Sequence, residues 1–148
     1  MSAEFLNQVV LRIRNTLGDN LVAIVLFGSY AKGTARPASD LDLLVIARTL
    51  PRGRARDDLV LYAFDDLVME TGTTVMPILM TEHELRFAME TRSPLLYGIV
   101  TGYQVVWGTL PLLPRWERFV RDHYRLSKKY QAWIIKDHTN PQPKPNLA

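Results

Sequence analysis

The chain of 148 residues contains no cysteine. That excludes disulfides, thiolate metal sites and thiol nucleophiles together, and it suits a cytoplasmic location. Only three histidines are present, His83, His123 and His138, and their spacing offers no zinc site. No segment approaches the roughly 18–20 apolar residues of a membrane span, so no membrane association is expected. The first residues, Met1-Ser2-Ala3-Glu4, have neither a basic n-region nor an apolar h-region, and no signal peptide is expected. Internal repeats are absent, and no low-complexity tract is seen before the last residues.

Apolar residues make up 47% of the chain, enough for a core, and the length fits one domain. The net charge of +3 is unevenly spread. Residues 1–110 hold 10 Lys/Arg and 12 Asp/Glu, a net of −2, whereas residues 111–148 hold 8 and 3, a net of +5. A basic end of this kind is either a solvated helix face or a surface for an acidic partner. Arg52, Arg54 and Arg56 form a smaller basic group that reads as solvated surface.

Phe5, Leu6, Val9, Val10, Ile13 and Leu17 recur at helical spacing, and Gly18 should end that helix. Leu21 to Phe27 is a nearly unbroken apolar run and reads as a buried strand. Gly28-Ser29 is a turn, residues 30–33 a short helical turn, and 34–39 a loop containing Pro37. Leu41 to Ala47 is a second strand. Residues 54–70 read as one helix closed by Gly72, and Thr73 to Met80 as a third strand. Pro77 cannot donate to a ladder, so that strand belongs at an edge or is interrupted. Thr81-Glu82-His83-Glu84 has the pattern of a capping box, and Ser93-Pro94 that of a second helix start. Tyr103 to Trp107 is a fourth strand. Trp116, Phe119, Val120, Tyr124, Ser127 and Ile134 then mark the stripe of one final helix. The expected class is α/β (α+β): a mixed sheet of about four strands flanked by helices, plus a C-terminal helix. The expected division is 1–110 for the main domain, 111–139 for an amphipathic basic helix, and 140–148 for a flexible tail.

The chemistry concentrates between Gly28 and Asp42. Side chains of a strand alternate between faces, so Asp40 and Asp42 point the same way. Two neighbouring carboxylates repel unless a cation lies between them. Mg²⁺ prefers such oxygens and keeps sites open for waters and substrate phosphates. Upstream, Gly28-Ser29 follows directly on a buried strand. Glycine lets backbone amides approach an anion closely, and the serine hydroxyl adds a donor. A helix starting there would add positive potential. Lys32 and Arg36 offer charge for a triphosphate. Gly28-x4-Gly33-Thr34 is not a P-loop, because the lysine required before Thr34 is missing.

The stretch from Gly28-Ser29-Tyr30-Ala31-Lys32-Gly33 through Arg36-Pro37 to Ser39-Asp40-Leu41-Asp42-Leu43-Leu44-Val45 resembles the signature of the minimal nucleotidyltransferases of the DNA polymerase beta superfamily. Gly-Ser, ten residues, Asp-x-Asp and an apolar strand all match. The family usually has Arg where this chain has Lys32. The resemblance implies that Asp40 and Asp42 are catalytic and hold one or two Mg²⁺ ions (Mn²⁺ could replace them). It implies that Gly28 and Ser29 bind nucleotide phosphates, with Lys32, Arg36 and Ser39 as further contacts. It implies transfer of a nucleoside monophosphate, AMP from ATP, to a hydroxyl of a protein or small molecule. Small members are often paired with a helical HEPN protein, and some act as antitoxins that adenylylate it.

The family's third carboxylate lies on a later strand. Here that strand is Thr73 to Met80, and Met76 occupies the acidic position. Methionine neither binds Mg²⁺ usefully nor takes a proton. Glu70, Glu82 and Glu84 flank the strand as substitutes, although Glu84 has the capping box to serve. Two functions follow as expectations: a Mg²⁺-dependent nucleotidyltransferase, or a catalytically weak nucleotide-binding regulator that docks a HEPN-type partner. The stripe of the last helix is compatible with a homodimer or with packing on its own domain. Nucleic-acid binding by the basic end ranks below both.

Overall fold

The computed structural model describes residues 2–148. Helix α1 (Ala3–Leu17) begins where the Ser2 hydroxyl accepts the Phe5 N–H at 3.1 Å, and it ends at Gly18 with φ +52°. Its buried residues, Phe5, Val9, Ile13 and Leu17, lie four apart, so one face enters the core. Strands β1 (Leu21–Phe27) and β2 (Leu41–Ala47) follow as the sequence predicts, and between them helix α2 (Gly28–Lys32) takes in Gly28 and Ser29, which the sequence reads as a turn before a helical turn at 30–33. Beyond them come α3 (Arg54–Asp58), α4 (Asp65–Thr71), β3 (Val75–Thr81), α5 (Glu82–Glu90), α6 (Pro94–Ile99), β4 (Tyr103–Gly108) and α7 (Leu112–His123).

The four strands form one mixed sheet in the order β3-β2-β1-β4. β1 is antiparallel to β2 and β4, and β2 is parallel to β3. The central strands carry unbroken apolar runs because both of their faces are covered. Ile24, Leu26, Leu41, Leu43 and Val45 pack with α1 and with Phe64 and Leu67. Ala23, Val25, Leu44 and Ile46 pack with Leu85, Met89, Leu96, Ile99 and Trp116 from α5, α6 and α7. The architecture is a sheet between two helical layers. Pro77 sits on edge strand β3, where its missing N–H costs no ladder bond to a further strand.

The capping box forms as expected: Thr81 Oγ1 accepts the Glu84 N–H at 3.1 Å, and Glu84 Oε1 accepts the Thr81 N–H at 2.9 Å. Pro94 does open α6, but the Ser93 side chain caps nothing. Arg12 on α1 grips Asp66 on α4 with two bonds of 2.7 Å and holds that carboxyl down at about 2.

Three expectations fail. The helix over 54–70 is broken into α3 and α4 by turns at residues 59–64. The buried side chains here are Val60, Phe64 and Leu67, whereas Leu61 and Tyr62 are exposed. The last helix stops at His123. A hairpin of β5 (Tyr124–Ser127) and β6 (Ala132–Ile135) replaces its second half. Trp133 anchors this hairpin, its indole N–H donating to the Tyr97 carbonyl at 2.8 Å. Where α7 does form, its stripe is spent internally: Trp116 and Val120 are fully buried in the chain's own core. The tail, expected to be flexible, is also docked. Leu147 is buried, Arg86 donates to its carbonyl, and Arg92 reaches the Pro143 carbonyl at 2.8 Å.

Removing the buried Leu147 side chain should therefore matter. Leu147→Ala is expected to cost about 2 kcal/mol, seen as a lower urea midpoint at unchanged slope. A loose tail would give no change.

Candidate active site

Gly28, Ser29, Lys32, Asp40 and Asp42 lie toward one end of the sheet, where β1 ends and β2, β3 and β4 begin. Phe27, the last residue of β1, is in register with Asp42 on one side and with Tyr103 on the other. Asp42 shares the face of Leu44 and Ile46, the face covered by α5, α6 and α7. Asp40 precedes the strand and is exposed, whereas Asp42 is half-buried.

Gly28 has φ +73°, and a Cβ at that position would overlap the Asp42 carboxylate at Oδ2. No other residue type permits so close an approach of turn and carboxylate. Gly102 plays a similar part at the start of β4: a Cβ there would lie 2.6 Å from Lys32 Cγ, so the lysine stem rests on bare backbone. Ser29 is half-buried, and its carbonyl accepts the Thr34 N–H at 2.9 Å.

The remaining predicted residues are set apart. Ser39 closes its own loop, its Oγ accepting the Arg36 N–H at 2.9 Å. Arg36 is exposed and lines a hollow with Tyr30, Gly33 and Pro37, separate from the cavity at Gly28. That cavity holds about 440 Å³ and runs between Gly28, Lys32, α6 and the hairpin. Its hairpin wall, with Lys128 and Gln131, had no signal in the helical stripe read from the sequence. A larger hollow of 750 Å³ lies between α3, α4 and β3. It contains neither the glycine turn nor the carboxylate pair, so volume does not track the chemistry here.

Burial, and then the neighbouring charge of Asp40, push the Asp42 carboxyl above its usual range. Among the described residues no hydrogen-bond donor or cation offsets either effect. A desolvated carboxylate next to a second one fits a hard divalent cation, whose other positions would go to water and phosphate oxygens. The protein would supply two ligands: among the described residues no group of three or more His, Cys, Asp or Glu side chains could hold a metal.

Met76 is in register with Asp42 across the β2–β3 pair and is 47% exposed. Partners in register share a face, so Met76 flanks the carboxylate pair. Glu82 and Glu84 cannot replace it. They follow the far end of β3, on the order of 20 Å from Met76 at the strand rise. Glu84 is moreover held by the Thr81 N–H of its cap and then by Arg56 at 2.9 Å, which lower its pKa. Glu70 lies beside Arg12 and Asp66 on the surface between α1 and α4.

The arrangement defines a class, and comparison with known proteins agrees. The nucleotidyltransferase domain family matches residues 8–100. A proposed protein adenylyltransferase of Methanocaldococcus jannaschii is 39% identical over 111 residues, 72% of each chain. A chain of a toxin–antitoxin complex crystallised with AMP-PNP is 26% identical, covering 76% of this chain and 81% of its own, with a TM-score of 0.53. A spectinomycin adenyltransferase of Enterococcus faecialis shares the fold at a TM-score of 0.60. It is 15% identical, and the match covers 74% of this chain and 57% of that one. The chain belongs to the nucleotidyltransferase domain family, and it is a nucleotidyltransferase by class. No helix among the described residues is long and apolar enough to cross a membrane.

The raised Asp42 carboxyl has a measurable consequence. A folded-state pKa above the unfolded value means that ionising Asp42 opposes folding. In metal-free buffer Asp42→Asn should therefore raise the melting temperature. The gain should be absent below the unfolded carboxyl pKa, grow as pH rises through the raised one, and then level off. A gain that is constant with pH would contradict this.

Proposed function

We propose that this protein transfers AMP from ATP to a hydroxyl on another protein. The observation that carries the reading is the contact between Gly28 and the Asp42 carboxylate, with Asp40 two residues away. It sets a turn suited to phosphate directly against a pair of hard metal ligands. The protein acceptor is favoured over a small molecule by the 39% identity to a proposed protein adenylyltransferase. The small-molecule enzyme shares only the fold.

In this reading the backbone at Gly28 and Ser29 cradles the triphosphate, and Lys32, fixed on Gly102, reaches it. Asp40 and Asp42 hold Mg²⁺, which would neutralise phosphate charge as it develops. The acceptor oxygen forms its bond to the α-phosphorus while the bond to the α,β-bridging oxygen breaks and pyrophosphate departs. The acceptor proton goes to solvent, since Met76 offers no base where the family has an acid.

Met76 also favours a second reading, a slow enzyme that acts mainly as an antitoxin-like regulator of a helical HEPN-type partner. The stripe of α7 could not serve such docking, because the core consumes it.

Two measurements test these readings. With ATP labelled at the α-phosphate and lysate protein as acceptor, the wild type should label a protein, and Asp40→Ala/Asp42→Ala should not. Placing a carboxylate beside Asp42 with Met76→Glu should raise the rate by roughly 10²-fold, the low end for a general base. Label transfer by the wild type that Met76→Glu leaves unchanged would show that a missing base does not limit the reaction. No transfer by either protein, with ATP binding intact, would favour the regulator.

A further inference from the structure

The cavity beside Gly28 has a second cationic wall that the glycine turn does not supply. This wall is the connection between β5 and β6, which lies outside residues 8–100 matched by the family. Lys32 lines the cavity from α2 and Lys128 from the hairpin, and Thr101, Ser127 and Gln131 line it as well. Among the described residues no carboxylate lines it. Among the described residues neither lysine belongs to an ion pair. Two like charges around one recess repel, and an anion between them removes that cost.

The hairpin holds its position. Trp133 is bonded to Tyr97, the Lys136 N–H donates to the His123 carbonyl at 2.9 Å, and the Tyr124 ring meets Tyr97 edge-on at 5.5 Å. Its turn is closed as well. The Tyr130 N–H donates to the buried Ser127 hydroxyl at 3.3 Å. Gln131 adopts φ +52°, and its side-chain amide donates to the Lys128 carbonyl at 3.0 Å. Lys128 is thus carried on a fixed turn while its own side chain stays exposed.

We infer that Lys128 is a phosphate-binding residue that acts with Lys32 on the β- and γ-phosphates of the nucleotide. The inference rests on the nucleotidyl-transfer reading of the Gly28–Asp42 site. When the bond from the α-phosphorus to the bridging oxygen breaks, its electron pair stays with that oxygen. Pyrophosphate leaves carrying the added charge, and two lysines facing it favour that departure. AMP, which lacks these phosphates, gains nothing from Lys128.

The test titrates ATP, AMP and inorganic pyrophosphate with Mg²⁺ into wild type, Lys128→Ala, Lys128→Arg and Lys128→Glu. Because Lys128 is exposed, none of these variants threatens the fold. Lys128→Ala should weaken ATP and pyrophosphate about tenfold, as for one charged hydrogen bond, and leave AMP unchanged. Lys128→Arg should keep most of the affinity, and Lys128→Glu should lose pyrophosphate altogether. ATP binding by Lys128→Ala at wild-type strength, or equal weakening of ATP and AMP, overturns the assignment of Lys128 alone. A wild type that binds neither ATP nor pyrophosphate overturns the underlying nucleotide site with it.

Discussion

The site depends on one close approach, the backbone of Gly28 against the carboxylate of Asp42. Any side chain at residue 28 would drive the two apart. Both residues sit at strand ends, and the strands are held in register by the sheet itself: Phe27 faces Asp42, and Asp42 faces Met76. A shift of one residue in β2 would turn Asp42 to the opposite face and bring Leu43 under the glycine turn. The buried runs of β1 and β2, covered on both sides, prevent that shift. Stability in the centre of the sheet and precision at its end are therefore the same requirement.

The approach carries an electrostatic cost. Asp42 is partly withdrawn from water beside another carboxylate, with no partner for its charge among the described residues. Cores seldom keep such an arrangement without a ligand to relieve it, and perturbed carboxyls are concentrated at functional sites. The same reasoning applies to the cavity behind Gly28, where two lysines face a recess without a counter-charge. The two imbalances are opposite in sign and share Gly28. A metal-bound polyphosphate carries both complements, cation at one end and anion along its length.

Much of this was legible in the sequence. Unbroken apolar runs announced the central strands, Gly28 and Asp42 stood at their ends, and Pro77 pointed to an edge. What failed had physical causes. Residues 59–64 are almost wholly apolar, so periodicity could not show which of them turn outward. β5 and β6 have four residues each, too few for an alternating pattern to outweigh a helical stripe that continues through Tyr124 and Ser127. Their pairing is fixed by a distant contact, Trp133 on Tyr97, which no local pattern encodes. The proline-rich end likewise gave no periodic signal, although Arg86, Arg92 and Arg115 all donate to its carbonyls. The hairpin wall of the cavity was lost with the hairpin, and Lys128 counted only toward the net charge of residues 111–148.

The central claim is that Asp40 and Asp42 make nucleotide binding at Gly28 depend on a divalent cation. Calorimetric titration of ATP into the protein with Mg²⁺, then with EDTA, and then into Asp40→Ala/Asp42→Ala tests it most directly. The account predicts binding with Mg²⁺ that EDTA abolishes and the double variant lacks. Binding of equal strength in all three, or in none, would contradict it.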